Sequence, residues 1–315
     1  LSYKTIMKII YFGSSTFSRG VLAALCGQGV TPSLVISQPD RPKGRGLTLT
    51  PTQISAYASN LRLALLKPDS LSEATLTRRL TDEAADFFVV ADYGKIIPDQ
   101  LLRLPKFFFL CAHPSLLPAY RGSSPIQRAL INADTLTGST IFRVNSKIDS
   151  GEILASQTYQ ISPWDDALSL TQALAVQSGN LLAQVMKQVM AGEYSLSAQE
   201  EAKATYAPKL VKEDGRIDWS KDAIMVNNLV RAMAGWPAAS TTFKGKVLKV
   251  LSGEPLASDA GAAAGTLVAL AKDGLDIACG KGLFKLKRLI PEGKRDMDAH
   301  AFAIGYGVKV GDRFE

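Results

Sequence analysis

Histidine is nearly absent from this chain, with two residues in 315, so any acid–base work by imidazole falls on His113 or His300. Cysteine is almost as scarce. Cys26, Cys111 and Cys279 are odd in number and far apart, which excludes a disulfide framework and fits no zinc ligand set. A reducing, cytoplasmic compartment and no bound metal are the expectation. No apolar run approaches the ~18 residues that a membrane helix needs, so no membrane role is expected. Leu1 to Met7 lack the basic flank and apolar stretch of a signal peptide, and Met7 reads as a start residue. Charge of one sign is in slight excess, 36 basic against 29 acidic residues for a net +7, which suits a polyanionic partner without requiring one. The excess is denser after Tyr206. Internal repeats and low-complexity tracts are missing, and Gly280-Lys281-Gly282 lacks the Ser/Thr and helix that would complete a phosphate loop.

What remains is a chain with 46% hydrophobic and 21% charged residues, the composition of a globular protein. Its length exceeds the ~100–200 residues of one domain, so two are expected. Residues 1–190 alternate short apolar, β-rich runs with helical stretches. Lys8–Phe12, Leu34–Ser37, Leu63–Leu66, Phe87–Ala91 and Phe107–Ala112 read as strands. Phe17–Cys26, Thr52–Ser59, Leu71–Leu80 and Pro125–Asn132 read as helices between them. The pattern predicts a Rossmann-like, doubly wound and mostly parallel sheet. Ser139–Val144 and Ile153–Ile161 add two strands around a turn at Asp149-Ser150-Gly151, and a helix from about Ala167 to Met190 closes the unit. Residues 191–207 are polar and aperiodic and read as a linker. Residues 208–315 carry one helix, Ile224–Ala234, and several short strands punctuated by glycine, which predict a small β-barrel of OB-like form. Within Leu283-Phe284-Lys285-Leu286-Lys287 the alternation turns the apolar groups inward and Lys285 and Lys287 outward, predicting a basic outer face.

His113 is the better placed of the two histidines. It follows the apolar run Phe107–Cys111, at the carboxyl end of a central strand, where open α/β sheets form their ligand crevice. His300 sits in an ordinary polar helical turn. Asp149, in a turn between two strands, is the natural partner, because a carboxylate orients an imidazole and stabilises its charged form. The plainer readings are a satisfied histidine at a strand end and a turn aspartate. The segment His113-Pro114-Ser115-Leu116-Leu117-Pro118 is stiffened by two prolines, and Tyr93-Gly94-Lys95-Ile96-Ile97-Pro98 follows another central strand; both suit a crevice wall. The stretch from Gln38 to Gly46 is too rich in proline and glycine for helix or strand. Its Arg41, Lys43 and Arg45 form a basic loop able to meet RNA phosphates, although three charges in a loop are usually solvated surface.

These pieces, in this order, resemble the folate-dependent formyltransferase superfamily. Its motifs are seen in Phe12-Gly13-Ser14, Ala91-Asp92-Tyr93-Gly94, His113 to Gly122 and Ile148-Asp149-Ser150-Gly151. His-x-Ser-Leu-Leu-Pro with a downstream Asp-x-Gly is specific for it. The basic loop, with Thr205 to Leu210, Gly215 to Trp219 and Trp236-Pro237, narrows the resemblance to the methionyl-tRNA formyltransferases, from about Lys8 to Phe314. The resemblance implies that His113 and Asp149 are the catalytic pair. It also implies a 10-formyltetrahydrofolate site lined by Ser115, Leu116, Leu117 and Pro118, with Tyr93, Gly94 and Ile97. Initiator methionyl-tRNA would meet the loop of Arg41, Lys43 and Arg45, and the barrel face of Lys285 and Lys287. A monomer suits a two-domain enzyme acting on tRNA. Two positions depart from the pattern. Cys111 stands where the family has the Asn of Asn-x-His, an oxyanion-site position, and Asp92 replaces a small residue. The cysteine leaves other readings open: a thioester carrier, a homologue that binds but transfers poorly, or a formyltransferase for another amine.

Overall fold

The computed structural model describes residues 7–43, 46–258 and 261–315, and it divides into two compact units. The first runs to Pro125 and includes Leu136–Ile161 and Leu170–Pro208; the second comprises Ile126–Thr135, Ser162–Ser169 and Lys209–Glu315.

The first unit is built on seven strands: β1 Ile9–Gly13, β2 Leu34–Ile36, β3 Leu65–Leu66, β4 Phe87–Ala91, β5 Phe108–His113, β6 Leu136–Arg143 and β7 Ile153–Gln160. Their order across the sheet is β7-β6-β5-β4-β1-β2-β3. The five strands from β3 to β5 run parallel, and β6 and β7 join antiparallel. All residues of β1 and β4 are buried, which is why these segments read as unbroken apolar runs: helices cover both faces of a central parallel sheet. Helix α1 (Thr16–Gly27) starts at a capping box in which Ser15 and Ser18 bond each other's backbone. Chain order reverses between β1 and β4, so the carboxyl ends of β1, β4 and β5 open a crevice at the switch point.

Two readings of the chain require correction. The stretch around Arg41 is not irregular: Arg41–Lys43 pairs antiparallel with Thr48–Thr50 in a small hairpin. Pro42 is tolerated there because a two-stranded ribbon has only edge positions. Residues 191–207 do not form a free linker. They return to the first unit, where Ser197 and Ile153 exchange backbone hydrogen bonds and Tyr206–Ala207 pairs with Arg121–Gly122.

The second unit is an antiparallel sheet of β8 Ala239–Phe243, β9 Lys246–Leu256, β10 Leu267–Ala271, β11 Gly274–Ala278 and β12 Leu283–Pro291, in the order β8-β9-β12-β11-β10. Both edges bond the C-terminal residues: Thr242 exchanges hydrogen bonds with Glu315, and Leu267 with Gly311 and Asp312. That segment closes the sheet, the arrangement expected of a small barrel. Its core packs Trp219, Phe243, Phe284, Phe302 and Phe314, with the Trp219 indole N–H donating to Thr241 Oγ1 at 2.9 Å. The short pieces at 126–135 and 162–169 belong here because Arg128 pairs with Asp214 at 3.3 Å, while Arg231 donates to the carbonyls of Ser162, Pro163 and Asp165.

Candidate active site

His113 is the last residue of β5 and is buried, 5% exposed. Both ring nitrogens face acceptors. Nε2 lies 2.9 Å from the carbonyl oxygen of Tyr120, to which it donates, and Nδ1 lies 3.7 Å from Asp149 Oδ2. The second distance is within ion-pair reach and outside hydrogen-bond range. Asp149 Oδ2 instead accepts the Gly122 backbone N–H at 2.7 Å. The structure therefore brings together the two residues singled out by strand-end position and turn chemistry. His300 is in the second unit, at a helix start, bonded to the Ala271 carbonyl oxygen at 3.1 Å.

Cys111 precedes His113 by two residues, so both project from the same face of β5. Its thiol is held well above its ordinary pKa by burial first, and by the carboxylates of Asp149 and Asp92. At neutral pH it is a protonated thiol, a weak hydrogen-bond donor and not the thiolate that captures an acyl group. The thioester reading is disfavoured on that ground. Asp92 itself is exposed, in the left-handed region at φ 43°.

The stiff segment after His113 is fixed from within. Ser115 is fully buried, and its hydroxyl donates to the Ala119 carbonyl at 2.6 Å. Thr140 Oγ1 donates to the Ser115 carbonyl at 2.7 Å and accepts the Leu117 N–H at 3.1 Å. Leu117 is buried, whereas Leu116 and Pro118 are partly exposed. Ser115 thus shapes the wall rather than offering its hydroxyl to a ligand. On the facing loop, Tyr93 is 1% exposed and Ile97 8%. Burial pushes the Tyr93 phenol up to about 12, and its hydroxyl has no partner among the described residues. Gly94, at φ 79°, leaves room for Gln38: an added Cβ would sit 2.8 Å from Gln38 Nε2. That amide donates to the Tyr93 carbonyl at 2.6 Å, so the base of the 41–50 hairpin is anchored on the loop beside the crevice. Sequence reasoning gave Gln38 no role; only its contact shows one. Arg41 is exposed on the hairpin. Lys43 belongs to the same strand, and Arg45 lies outside the described residues.

In the second unit Phe284 and Leu286 are buried as the alternation predicts, yet the basic face does not follow. Lys285 pairs with Asp273 at 2.6 Å and reaches Asp276 at 3.9 Å; Lys287 pairs with Glu254 at 2.6 Å. Carboxylates that neighbouring strands bring alongside offset both charges.

Comparison with known proteins gives the family. Residues 7–186 match the family described as formyl transferase, and residues 209–307 match the formyl transferase C-terminal domain. The chain is 38% identical over 309 residues to the methionyl-tRNA formyltransferase of Deinococcus radiodurans, covering 98% of this chain and 96% of that one. It is 34% identical over 307 residues to that of Enterococcus faecalis, covering 97% and 98%. The chain belongs to the methionyl-tRNA formyltransferase family. Among solved structures, HypX from Aquifex aeolicus in complex with tetrahydrofolic acid superposes with a TM-score of 0.68 at 17% identity, over 97% of this chain and 48% of that one. This chain thus spans about half of that protein. An N-formyltransferase from Helicobacter canadensis, in complex with folinic acid and dTDP-3-aminofucose, gives 0.64 at 15%, over 89% and 98%. At such identities these likenesses concern the fold. No helix among the described residues is long and apolar enough to cross a membrane.

Proposed function

We propose that this chain transfers the formyl group of 10-formyltetrahydrofolate to the α-amine of methionyl initiator tRNA, with His113 and Asp149 as its acid–base pair. The observation that carries the reading is their geometry: a buried imidazole at the switch point, with one nitrogen held by a carbonyl and the other facing a carboxylate at 3.7 Å. The amine nitrogen bonds to the formyl carbon, and the resulting tetrahedral oxyanion collapses by breaking the bond from that carbon to the folate nitrogen. The proton leaving the amine passes to that nitrogen, and an imidazole flanked by a carboxylate is suited to relay it. The two walls suit a folate. Leu117 and Ile97 are apolar, Leu116 and Pro118 reach the surface, and the Tyr93 hydroxyl has an open hydrogen bond. Arg41 and Lys43 of the hairpin, with Arg45 close by in the chain, would meet the acceptor arm of the tRNA; on the barrel, Lys285 and Lys287 would do so in competition with Asp273 and Glu254.

Cys111 favours a second reading, a member that binds both substrates and transfers slowly. An amide at this position would donate strongly to the oxyanion where the thiol donates weakly. One such donor is worth roughly 10²–10³ in kcat. The deciding measurement is transfer of labelled formyl from 10-formyltetrahydrofolate to methionyl initiator tRNA by this chain and its Cys111→Asn variant. We expect transfer by both, with the variant faster. A silent chain rescued by the variant establishes the second reading, and silence in both without tRNA binding would sink the proposal.

A further inference from the structure

The turn that carries Asp149 is not held by its own loop. Asp149 has φ 47°, a left-handed conformation that costs a non-glycine residue about 1–2 kcal/mol and persists where the surroundings impose it. An aspartate can offset this cost by bonding its own backbone, but here the carboxylate bonds Gly122 instead. The restraint comes from a residue fifty positions away. Gln199 Nε2 donates to the carbonyls of Asp149 and Gly151 at 2.9 and 2.8 Å, and its Oε1 accepts the Arg121 Nε–H at 3.0 Å. Both amide protons and the amide oxygen are engaged, so the carboxamide has one orientation. Arg121 is fixed in turn: it is 2% exposed, and its Nη1 donates to both oxygens of Glu201 at 3.0 and 2.8 Å. Arg121 also precedes Gly122, whose N–H holds the Asp149 carboxylate. Backbone and side chain of Asp149 are thus secured from one place, and Tyr206–Ala207, pairing with Arg121–Gly122, secures that place.

We infer that Gln199 is a positioning residue for formyl transfer: it holds the Asp149 turn so that the carboxylate faces His113 Nδ1, and Arg121, braced by Glu201, holds Gln199. The inference rests on the reading of His113 and Asp149 as the transfer pair. Its physical basis is the sensitivity of proton relay to position, since a misplacement of about 1 Å can cost roughly 10²-fold in rate.

The test is Gln199→Glu, which keeps the side chain's size and its bond to Arg121 but cannot donate to the two carbonyls. Expected is a fall in kcat of roughly 10²-fold, with KM for methionyl-tRNA and for 10-formyltetrahydrofolate within about twofold and the thermal midpoint preserved. Gln199→Met, of similar volume and without hydrogen bonds, should act in the same direction. Because the effect runs through Asp149, adding Gln199→Glu to Asp149→Asn should cost little further rate, a non-additivity that a merely structural brace would not give. Wild-type kcat in Gln199→Glu, or full additivity in the double variant, overturns the inference and leaves the pair standing. Wild-type kcat in Asp149→Asn removes the pair, and the inference with it.

Discussion

The crevice end of the first unit and the barrel of the second use unusual backbone in different ways. Around the crevice Asp92, Tyr120 and Asp149 have positive φ, as do Gly94 and Gly122, and they lie next to the residues that would touch substrate. In the barrel the non-glycine residues of this kind are Ala238, before the first strand, and Lys244, in the turn between β8 and β9, and glycines such as Gly245, Gly274, Gly282 and Gly293 take positive φ at or between strand ends. One unit bends its chain to present side chains. The other bends it to connect strands, as any small sheet must. Loss at the crevice should therefore appear first in rate, and loss in the barrel first in stability.

The largest expected effect is at His113. His113→Ala removes the only imidazole at the crevice among the described residues, and general acid–base catalysis of this kind is worth roughly 10²–10⁴ in rate. Single-turnover formyl transfer should fall by that order with the thermal midpoint little changed. His300→Ala in the second unit should leave the rate alone. Equal losses would break the comparison.

Position in the chain made much of this legible and partnership did not. Phe87–Ala91 could be read to the residue because a strand buried on both faces is apolar without interruption. His113 could be singled out because the end of such a strand is where a crevice forms. Gln199 and Arg121 could not, since they act through hydrogen bonds spanning 48 to 80 residues, and a glutamine in a polar stretch carries no local signal. The hairpin at Arg41 was hidden by Pro42, which forbids a central strand but not an edge. Lys285 and Lys287 were read as an outward basic face, but Glu254 and Asp276, which the strand register places opposite Lys285, are invisible to a pattern taken along one strand.

A matched pair of glycines sharpens the comparison at intermediate size. A Cβ at Gly151 would collide with the Arg143 carbonyl oxygen, and one at Gly253 with the Phe284 ring. Neither site can admit a methyl group without moving its neighbours, and overpacking of this kind costs typically 1–3 kcal/mol. Gly151→Ala sits in the Asp149 turn and should depress kcat beyond what its thermal shift explains. Gly253→Ala should lower the thermal midpoint and leave the rate of the folded fraction near wild type. A normal rate in Gly151→Ala would count against a turn that positions the Asp149 carboxylate for the proposed transfer.

A smaller effect separates the units by pH. Burial pushes the Cys279 thiol, in the barrel core, from 9.0 to about 12. The folded chain keeps this proton where the unfolded chain releases it, so stability is full below the unfolded value and declines as pH rises through the window from 9.0 to about 12. Cys279→Ala removes that proton linkage, so its thermal midpoint should fall less steeply than wild type's between these limits. Parallel midpoint–pH curves for the two proteins would show that the thiol does not contribute.

The smallest effect concerns the barrel's outer lysines. Binding of tRNA phosphates releases counterions, so each lysine that neutralises a phosphate contributes about one unit to the slope of log affinity against log salt. Lys287 already has Glu254 at 2.6 Å and Lys285 has Asp273 at 2.6 Å. A phosphate must compete with a carboxylate at each. Lys249, exposed on β9 with no carboxylate within ion-pair distance among the described residues, has no such competitor. Lys287→Gln should therefore change the salt slope of methionyl-tRNA binding by well under one unit, and less than Lys249→Gln does if β9 faces the RNA. A full unit lost on Lys287→Gln would mean that the RNA displaces Glu254, and Glu254→Gln should then tighten binding.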